Sequence, residues 1–183
     1  MTENQIYRDN LRLSEIEYLL QHIHLWSRPR CLGLVLGNGC NISCPHCYQP
    51  KNGDNLLKPA EIGRTLRTEF IGLYPYLSTL RVQGGEVFAY SGFRELLDDV
   101  AATVDRPIVS ASTNGTLITE DWAERIVRLP FSNLTISIDG PHRKHSPGCE
   151  RVRNSMRFWP TCGVFRTGKR GWGAGSLTWI RSS

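Results

Sequence analysis

Three cysteines, Cys40, Cys44 and Cys47, lie within eight residues of this chain, separated by three and then two residues. Thiolates are soft ligands that select zinc, copper(I) or iron–sulfur clusters. A closed structural zinc site takes four protein ligands, and most iron–sulfur cubanes take four cysteines. Three ligands on one short loop therefore predict an iron–sulfur site whose last metal position is open to a molecule that is not protein.

Two other roles for these cysteines remain as alternatives. The six cysteines of the chain are an even number, as disulfides require, but the polar segment 1–10 lacks the apolar region of a secretory signal, so we expect a reducing, cytoplasmic location. A zinc knuckle could use His46 or Cys31 as its fourth ligand. Zinc ribbons place a second ligand pair about 12–20 residues further on, whereas the next cysteine after Cys47 is Cys149. We therefore expect His46 to be a loop residue and not a ligand.

Length and charge divide the chain into three parts. Its 183 residues, of which 40% are hydrophobic and 21% charged, suffice for one domain with a core, and no apolar run reaches the length of a membrane span. Residues 1–140 carry 13 basic and 16 acidic residues, whereas residues 141–183 carry 9 basic residues and one acid. This step in charge predicts a boundary near Gly140. The predicted parts are an N-terminal helical extension at 1–31, an incomplete barrel core at 32–148 and a basic irregular tail at 149–183.

Hydrophobic spacing predicts strands and helices that alternate along the core. Short apolar runs predict strands, and apolar residues three or four apart predict helices, with Ser91 and Thr119 as N-terminal caps. Short apolar strands separated by helices form right-handed crossovers, so this order predicts an α/β fold with a parallel sheet. The predicted strands are 32–36, 79–83, 107–113 and 134–138, and the predicted helices are 11–26, one that begins at Pro59, 91–104 and 120–128.

Polar or glycine-rich residues follow every predicted strand. The carboxyl ends of parallel strands form one edge of a sheet, and binding sites are built there. Glycines allow a close backbone approach, and a neighbouring carboxylate could accept hydrogen bonds from an ammonium group. Apart from the cysteines, each motif alone is also typical of an ordinary turn, and the sequence leaves both interpretations open. The motifs are the three cysteines, Gly84-Gly85-Glu86, Thr113-Asn114-Gly115, and Ser137 with Asp139, which share one face of their strand.

Together these motifs resemble the radical SAM superfamily, enzymes that use S-adenosylmethionine (SAM) as a radical source. The residues that carry the resemblance are the CxxxCxxC cysteines with Tyr48 after them, Gly84-Gly85-Glu86, Thr113-Asn114-Gly115-Thr116-Leu117 and Ser137-Ile138-Asp139-Gly140-Pro141. The resemblance spans about residues 32–141. It implies a partial parallel (β/α) barrel of about four βα units, followed by an irregular C-terminal tail.

The resemblance also implies the cofactors and their contacts. Cys40, Cys44 and Cys47 would hold a [4Fe-4S] cluster, and SAM would bind its fourth iron and be cleaved reductively to a 5′-deoxyadenosyl radical. Such a cofactor carries the difficult chemistry while the protein orients it. The residues predicted to contact SAM are Gly84, Gly85 and Glu86 at the methionine end, Tyr48 at the adenine, and Asn114, Ser137 and Asp139 elsewhere in the cofactor site.

Within the superfamily, the motifs look most like the branch of anaerobic sulfatase maturases and peptide-modifying enzymes. A peptide substrate and an electron donor such as flavodoxin or ferredoxin are therefore expected, and neither a membrane nor a nucleic acid is expected as a partner. The isolated Cys149 and Cys162 do not form the auxiliary-cluster pattern of that branch. The alternative is a metal- or cluster-binding fragment without catalysis.

The tail from Arg151 to Ser183 is rich in Arg, Gly, Trp and Ser and shows a strand pattern only at 177–180. Three explanations stay open. A shifted reading frame would make the chain a truncated product, with its fourth strand an unprotected edge. A basic, aromatic arm would bind nucleic acid. A solvated tail would do neither.

Overall fold

The computed structural model of the chain describes residues 2–44, 47 and 67–139, together with the backbone of two short strands at 165–168 and 174–179. In these residues, helices cover one face of a sheet whose first four strands run parallel. The fold is the expected α/β partial barrel. Among the described helices, none combines the length and the apolar character that crossing a membrane requires.

Helix α1 (Glu3–Leu19) begins after Thr2, whose side chain caps it by accepting a hydrogen bond from the backbone N–H of Gln5. It ends in a Schellman motif, in which Gln21 is left-handed (φ 54°) and the His22 N–H donates to the Glu17 carbonyl. The helix predicted at 11–26 is therefore misplaced at both ends, because a threonine cap starts it earlier and a left-handed residue other than glycine stops it sooner.

Helix α1 packs where β2 and β3 begin. The guanidinium of Arg106, which lies just before β3, stacks 4.2 Å from the centre of the Tyr7 ring and forms an ion pair with Glu3 at 3.2 Å. The Tyr7 hydroxyl lies 3.3 Å from Oγ of Ser78, which directly precedes β2. The N-terminal extension is thus attached at the edge of the sheet where its parallel strands start.

All four predicted strands are present, as β1 (Cys31–Val35), β2 (Thr79–Gln83), β3 (Val109–Thr113) and β4 (Phe131–Asp139). Neighbouring strands pair in parallel. Their registers align Leu34, Val82, Ala111 and Leu134 in one row on the helix-covered face, and all four are buried. A fully buried Val or Leu side chain stabilises the fold by about 1.5–3 kcal/mol, so such rows hold the helices on this face.

Two helices connect the later strands, α2 (Ser91–Thr103) between β2 and β3, and α3 (Glu120–Arg128) between β3 and β4. Both agree with the prediction. Thr119 caps α3 by accepting a hydrogen bond from Trp122 N–H, as expected. Ser91 does not cap α2, because the N-cap position belongs to Tyr90, which makes no side-chain cap.

The helix expected from Pro59 lies mostly outside the described residues. Its last part, 67–70, is helical and continues into a 3-10 helix at Ile71–Tyr76. Tyr74 in this segment is fully buried, and burial raises the pKa of its phenol to about 12. The segment that precedes β2 is thus anchored in the core through Tyr74.

Two further strands, β5 (Phe165–Gly168) and β6 (Ala174–Trp179), extend the sheet in the order β1-β2-β3-β4-β6-β5. Strand β6 pairs antiparallel with β4, and β5 pairs antiparallel with β6. Strand β4 is therefore not the unprotected edge that the shifted-frame explanation implied. The sequence signalled only the segment 177–180, because strands this short carry little periodicity.

Candidate functional site

The loops that follow β1 and β2 are joined by backbone hydrogen bonds. The N–H of Gly85 donates to the carbonyl of Gly37 (2.9 Å), and the N–H of Glu86 donates to the carbonyl of Gly39 (2.9 Å). Because Cys40 follows Gly39 directly, the Gly-Gly-Glu motif is attached to the start of the cysteine loop. Two of the motifs singled out in the sequence therefore meet at one edge of the sheet.

Gly85 allows this close approach because it has no side chain. A Cβ atom at this position would lie 2.0 Å from the carbonyl oxygen of Gly39 and 2.4 Å from its carbonyl carbon. No backbone contact of that length is tolerated, so any other residue would force the two loops apart. Its predicted contact with SAM remains a prediction, while its contact with Gly39 gives it a structural reason to be glycine.

Tyr90 supports the same loop and was not singled out in the sequence. Its hydroxyl donates to the Gly39 carbonyl (3.2 Å), and burial raises the pKa of its phenol. Gly37 adopts φ 132°, and a Cβ there would meet the Tyr90 hydroxyl at 3.0 Å. A lone tyrosine before a helix carries no sequence signal for this role, since the contact joins residues 51 apart.

Glu86 is completely buried and joins the loop after β2 to the loop after β3. Its Oε1 accepts hydrogen bonds from Thr113 Oγ1 (2.6 Å) and Phe88 N (3.1 Å), and its Oε2 accepts one from Asn114 N (2.7 Å). Burial raises the pKa of the carboxyl, and these three hydrogen bonds oppose the rise. The predicted contact with the SAM ammonium stays a prediction, and within the described residues the carboxylate binds backbone and Thr113.

The three cysteines of the motif lie on the loop after β1. Cys40 and Cys47 are exposed, Cys44 is partly buried, and none of the three forms a disulfide. In the part of the chain that the structure describes, no three Cys, His, Asp or Glu side chains converge to hold a metal ion. Three accessible sulfurs on one loop fit an iron–sulfur cluster better than a hard cation. The fit rests on this donor chemistry and not on the present positions of the sulfurs.

Asn114 brings the loop after β3 to the cysteine loop. Its side-chain Nδ2 donates to Cys40 Sγ at 3.6 Å and to Asn41 Oδ1 at 2.9 Å. Asn41 and Thr116 take part in the same network, and neither was assigned to the site from the sequence. The available signals were that Asn41 follows Cys40 directly and that Thr116 belongs to the motif Thr113–Leu117.

The remaining predicted contacts are not brought to this edge by any described hydrogen bond. The side chain of Ser137 is exposed on β4, and Asp139 ends that strand, with only its backbone described. Tyr48 lies outside the described residues, as do His46, Cys149 and Cys162. The structure therefore gathers the motifs of β1, β2 and β3 around Cys40, while the predicted roles of Tyr48, Ser137 and Asp139 stay predictions.

Comparison with known proteins agrees with this arrangement. A family model described as the radical SAM superfamily matches residues 34–162, more than half of the chain. The matched segment includes all three cysteines, the loops after β2 and β3, and the residues that follow β4 in the sequence.

Curated relatives are similar to this chain over about three fifths of its length. The chain is 28% identical over 119 residues to the GTP 3′,8-cyclase of Mycolicibacterium smegmatis, covering 62% of this chain and 32% of that protein. It is 31% identical over 114 residues to the mycofactocin maturase MftC of Mycobacterium tuberculosis, covering 61% and 28%. The GTP 3′,8-cyclase of Parasynechococcus marenigrum is 31% identical over 125 residues, covering 62% and 35%. The chain spans about a third of the length of these relatives.

Proposed function

The chain belongs to the radical SAM superfamily, and we propose that it is the cofactor-binding core of a radical SAM enzyme. The observation that carries the proposal is the set of hydrogen bonds that attaches the Gly84–Glu86 loop and Asn114 to the start of the cysteine loop. Three motifs that are far apart in the sequence thereby surround one position at the carboxyl edge of a parallel sheet, where α/β folds place their ligands.

In the proposed site, the thiolates of Cys40, Cys44 and Cys47 would hold a [4Fe-4S] cluster. A bound cluster would supply the electron for reductive cleavage of SAM to methionine and a 5′-deoxyadenosyl radical. The protein binds and orients these groups. Gly85 keeps the loop after β2 close to Cys40, and Glu86 ties that loop to Asn114.

The substrate is proposed to lie against the face of the sheet that no described helix covers. Side chains alternate across a strand, so the residues between the buried ones point to this face. Exposed residues there are Val35, Arg81, Gln83, Ser112 and Ser137. The face is largely polar. It adjoins the edge that carries Cys40, so a substrate there would lie near the radical that the proposed cofactor forms.

A peptide is the proposed substrate, and flavodoxin or ferredoxin is the proposed electron donor. The motifs after the strands resemble the peptide-modifying branch, and the likeness to the mycofactocin maturase MftC supports the same choice. The similar likeness to GTP 3′,8-cyclases makes GTP the second candidate substrate. Chromatography coupled to mass spectrometry of anaerobic reactions with GTP or with a peptide library would distinguish the two, because only the true substrate would be consumed and replaced by a product with a different retention time or mass.

Anaerobic reconstitution with iron and sulfide tests the proposed cofactors. The wild-type chain is expected to take up about four irons per chain, by analogy with cubane ligation, and to convert SAM to 5′-deoxyadenosine when dithionite is added. Chromatography of the small molecules measures the conversion. A chain that retains zinc and leaves SAM intact would contradict the proposal and support the non-catalytic alternative.

A further inference from the structure

We propose that Asn114 is a positioning residue for the cluster ligand Cys40, held in place by a closed ring of hydrogen bonds with Asn41 and Thr116. This inference rests on the proposed function, because it assigns a partner to a sulfur that the cluster would use. It gives the Asn114 side chain a role that differs from the predicted contact with SAM. Three observations support the inference: the hydrogen bonds of the ring, the orientation of the Asn114 amide, and the direction of the second N–H of that amide.

The ring consists of three side-chain hydrogen bonds that run in one direction. Asn114 Nδ2 donates to Asn41 Oδ1 (2.9 Å), Asn41 Nδ2 donates to Thr116 Oγ1 (2.8 Å), and Thr116 Oγ1 donates to Asn114 Oδ1 (2.6 Å). Each side chain therefore donates once and accepts once within the ring. Each of the three side chains is thus held by two partners, which restricts its orientation.

The backbone fixes which way the Asn114 amide points. The backbone N–H of Thr116 donates to Asn114 Oδ1 (2.9 Å), and a backbone N–H can only donate. The oxygen of the amide must therefore face Thr116, so its nitrogen faces the cysteine loop. The usual ambiguity between the oxygen and the nitrogen of an asparagine amide is removed here by the donors around it.

One amide hydrogen then remains for Cys40. Asn114 Nδ2 carries two hydrogens, of which one serves Asn41, and Cys40 Sγ lies 3.6 Å from the same nitrogen. The main chain of Asn114 is also anchored, because its N–H donates to the buried Glu86. The Asn114 Nδ2 donor is therefore oriented toward the Cys40 sulfur by bonds to both its side chain and its backbone.

A hydrogen bond to a ligating sulfur affects the electronic properties of a cluster. Hydrogen bonds to the sulfurs are among the factors that set the reduction potential of an iron–sulfur cluster, and outer contacts also orient the ligands. A donor stabilises the extra negative charge of the reduced cluster more than that of the oxidised cluster. Loss of the Asn114 N–H should therefore make the cluster harder to reduce.

The test measures the midpoint potential of the reconstituted cluster by titration with spectroscopic detection, in the full chain without substrate. The Asn114→Ala variant should show a more negative potential, corresponding to about a tenfold loss in the equilibrium constant for one-electron reduction, or about 59 mV. Thr116→Val keeps the amide but breaks the ring, so its shift should have the same sign and be smaller. Asn133→Ala on β4, whose Oδ1 has no hydrogen-bond partner within the described residues, is the matched control and should not shift the potential.

The possible outcomes separate the two proposals. A purely structural role for Asn114 would lower the amount of cluster bound but leave the potential of the bound cluster at the wild-type value, and that result would overturn the inference while the proposed function stands. If Asn114→Ala does not fold by circular dichroism, Thr116→Val decides, and an unshifted potential in that variant would overturn the inference. A wild-type chain that binds no cluster would overturn both proposals.

Discussion

Two buried glutamates show how differently this chain holds its N-terminal extension and its candidate site. Glu17 in α1 is 2% exposed and accepts hydrogen bonds from the N–H groups of Trp26 and Ser27 and from the Ser27 hydroxyl. Glu86 is 0% exposed and accepts its hydrogen bonds from Phe88, Thr113 and Asn114. Glu17 closes a local turn, whereas Glu86 joins two loops that are 27 to 28 residues apart in the sequence.

The two carboxyl groups also differ in their protonation. The Ser27 hydroxyl and the two N–H groups lower the pKa of Glu17, whereas burial raises the pKa of Glu86 against the hydrogen bonds it accepts. Glu17 is bound by the turn that contains Trp26 and Ser27, and Glu86 is buried between the loops that follow β2 and β3. The end of α1 is thus closed by local bonds, while the candidate site depends on long-range contacts among three loops.

The largest effect is expected from Gly85→Ala, which breaks the contact between the loops of the site. A Cβ at 2.0 Å from the Gly39 carbonyl oxygen has to displace backbone, and overpacking of this kind costs about 3 kcal/mol. Urea denaturation measures the free energy of unfolding. Gly33→Ala is the matched control, because nothing lies within 4 Å of a Cβ there, and equal losses in the two variants would contradict the account.

The next largest effect is expected from Glu86→Gln. The amide nitrogen of glutamine would face groups that donate, so at least one of the three hydrogen bonds is lost, at a cost of about 1–3 kcal/mol. Thermal unfolding measures the change. Glu95→Gln, which alters an exposed carboxylate paired with Arg67, is the control and should change stability by less than about 1 kcal/mol. Similar losses in the two variants would show that Glu86 does not join the loops.

Opposite pH dependences should separate the two glutamates. Glu86 has a raised pKa, so its contribution is full below the unfolded value near 4.5 and is lost as pH rises through its folded pKa. Glu17 has a lowered pKa, so its contribution is full above that value and is lost as pH falls through its folded pKa. Between pH 7 and 4, the wild type should gain stability relative to Glu86→Gln and lose it relative to Glu17→Gln. Slopes of the same sign would contradict the comparison.

The smallest effect is expected from Trp26→Ser. The Trp26 side chain is 83% exposed, and Glu17 binds its backbone N–H, which serine retains. The melting temperature should therefore change little, with less than about 0.5 kcal/mol of stability lost, as is usual for exposed positions. A large loss would mean that the end of α1 depends on the Trp26 side chain and not only on the local turn around Glu17.

Much of the fold could be predicted from the sequence because its signals are local. The four parallel strands are short apolar runs before glycine or polar residues, and Thr119 caps α3 by the local chemistry of its side chain. The start of α1 was missed because Thr2 caps it ahead of the apolar pattern, and its end was missed because Gln21 adopts a left-handed conformation that glycine usually takes. Strand β5 was missed and β6 was signalled only at 177–180, because both are short and β6 pairs with β4 only through long-range contacts.

The candidate site could be predicted only in part for the same reason. The cysteines and the Gly84–Glu86 motif are visible in the sequence, and their neighbourhood follows from the parallel order of the strands. The burial of Glu86 and the ring of Asn41, Asn114 and Thr116 depend on the register of three strands and on the absence of a Cβ at Gly85. Neither the composition of the chain nor the spacing of its residues predicts this burial or this ring of hydrogen bonds.

The central claim is tested most directly by the formation of 5′-deoxyadenosine from SAM in the anaerobically reconstituted chain and in two cysteine variants. Cys47→Ala removes a proposed ligand, and Cys31→Ala removes an exposed cysteine outside the motif. We predict that the wild type and Cys31→Ala release 5′-deoxyadenosine under reductant, and that Cys47→Ala does not. Equal release by all three proteins, or release by none of them, would contradict the claim that the cysteine loop holds the cluster that cleaves SAM.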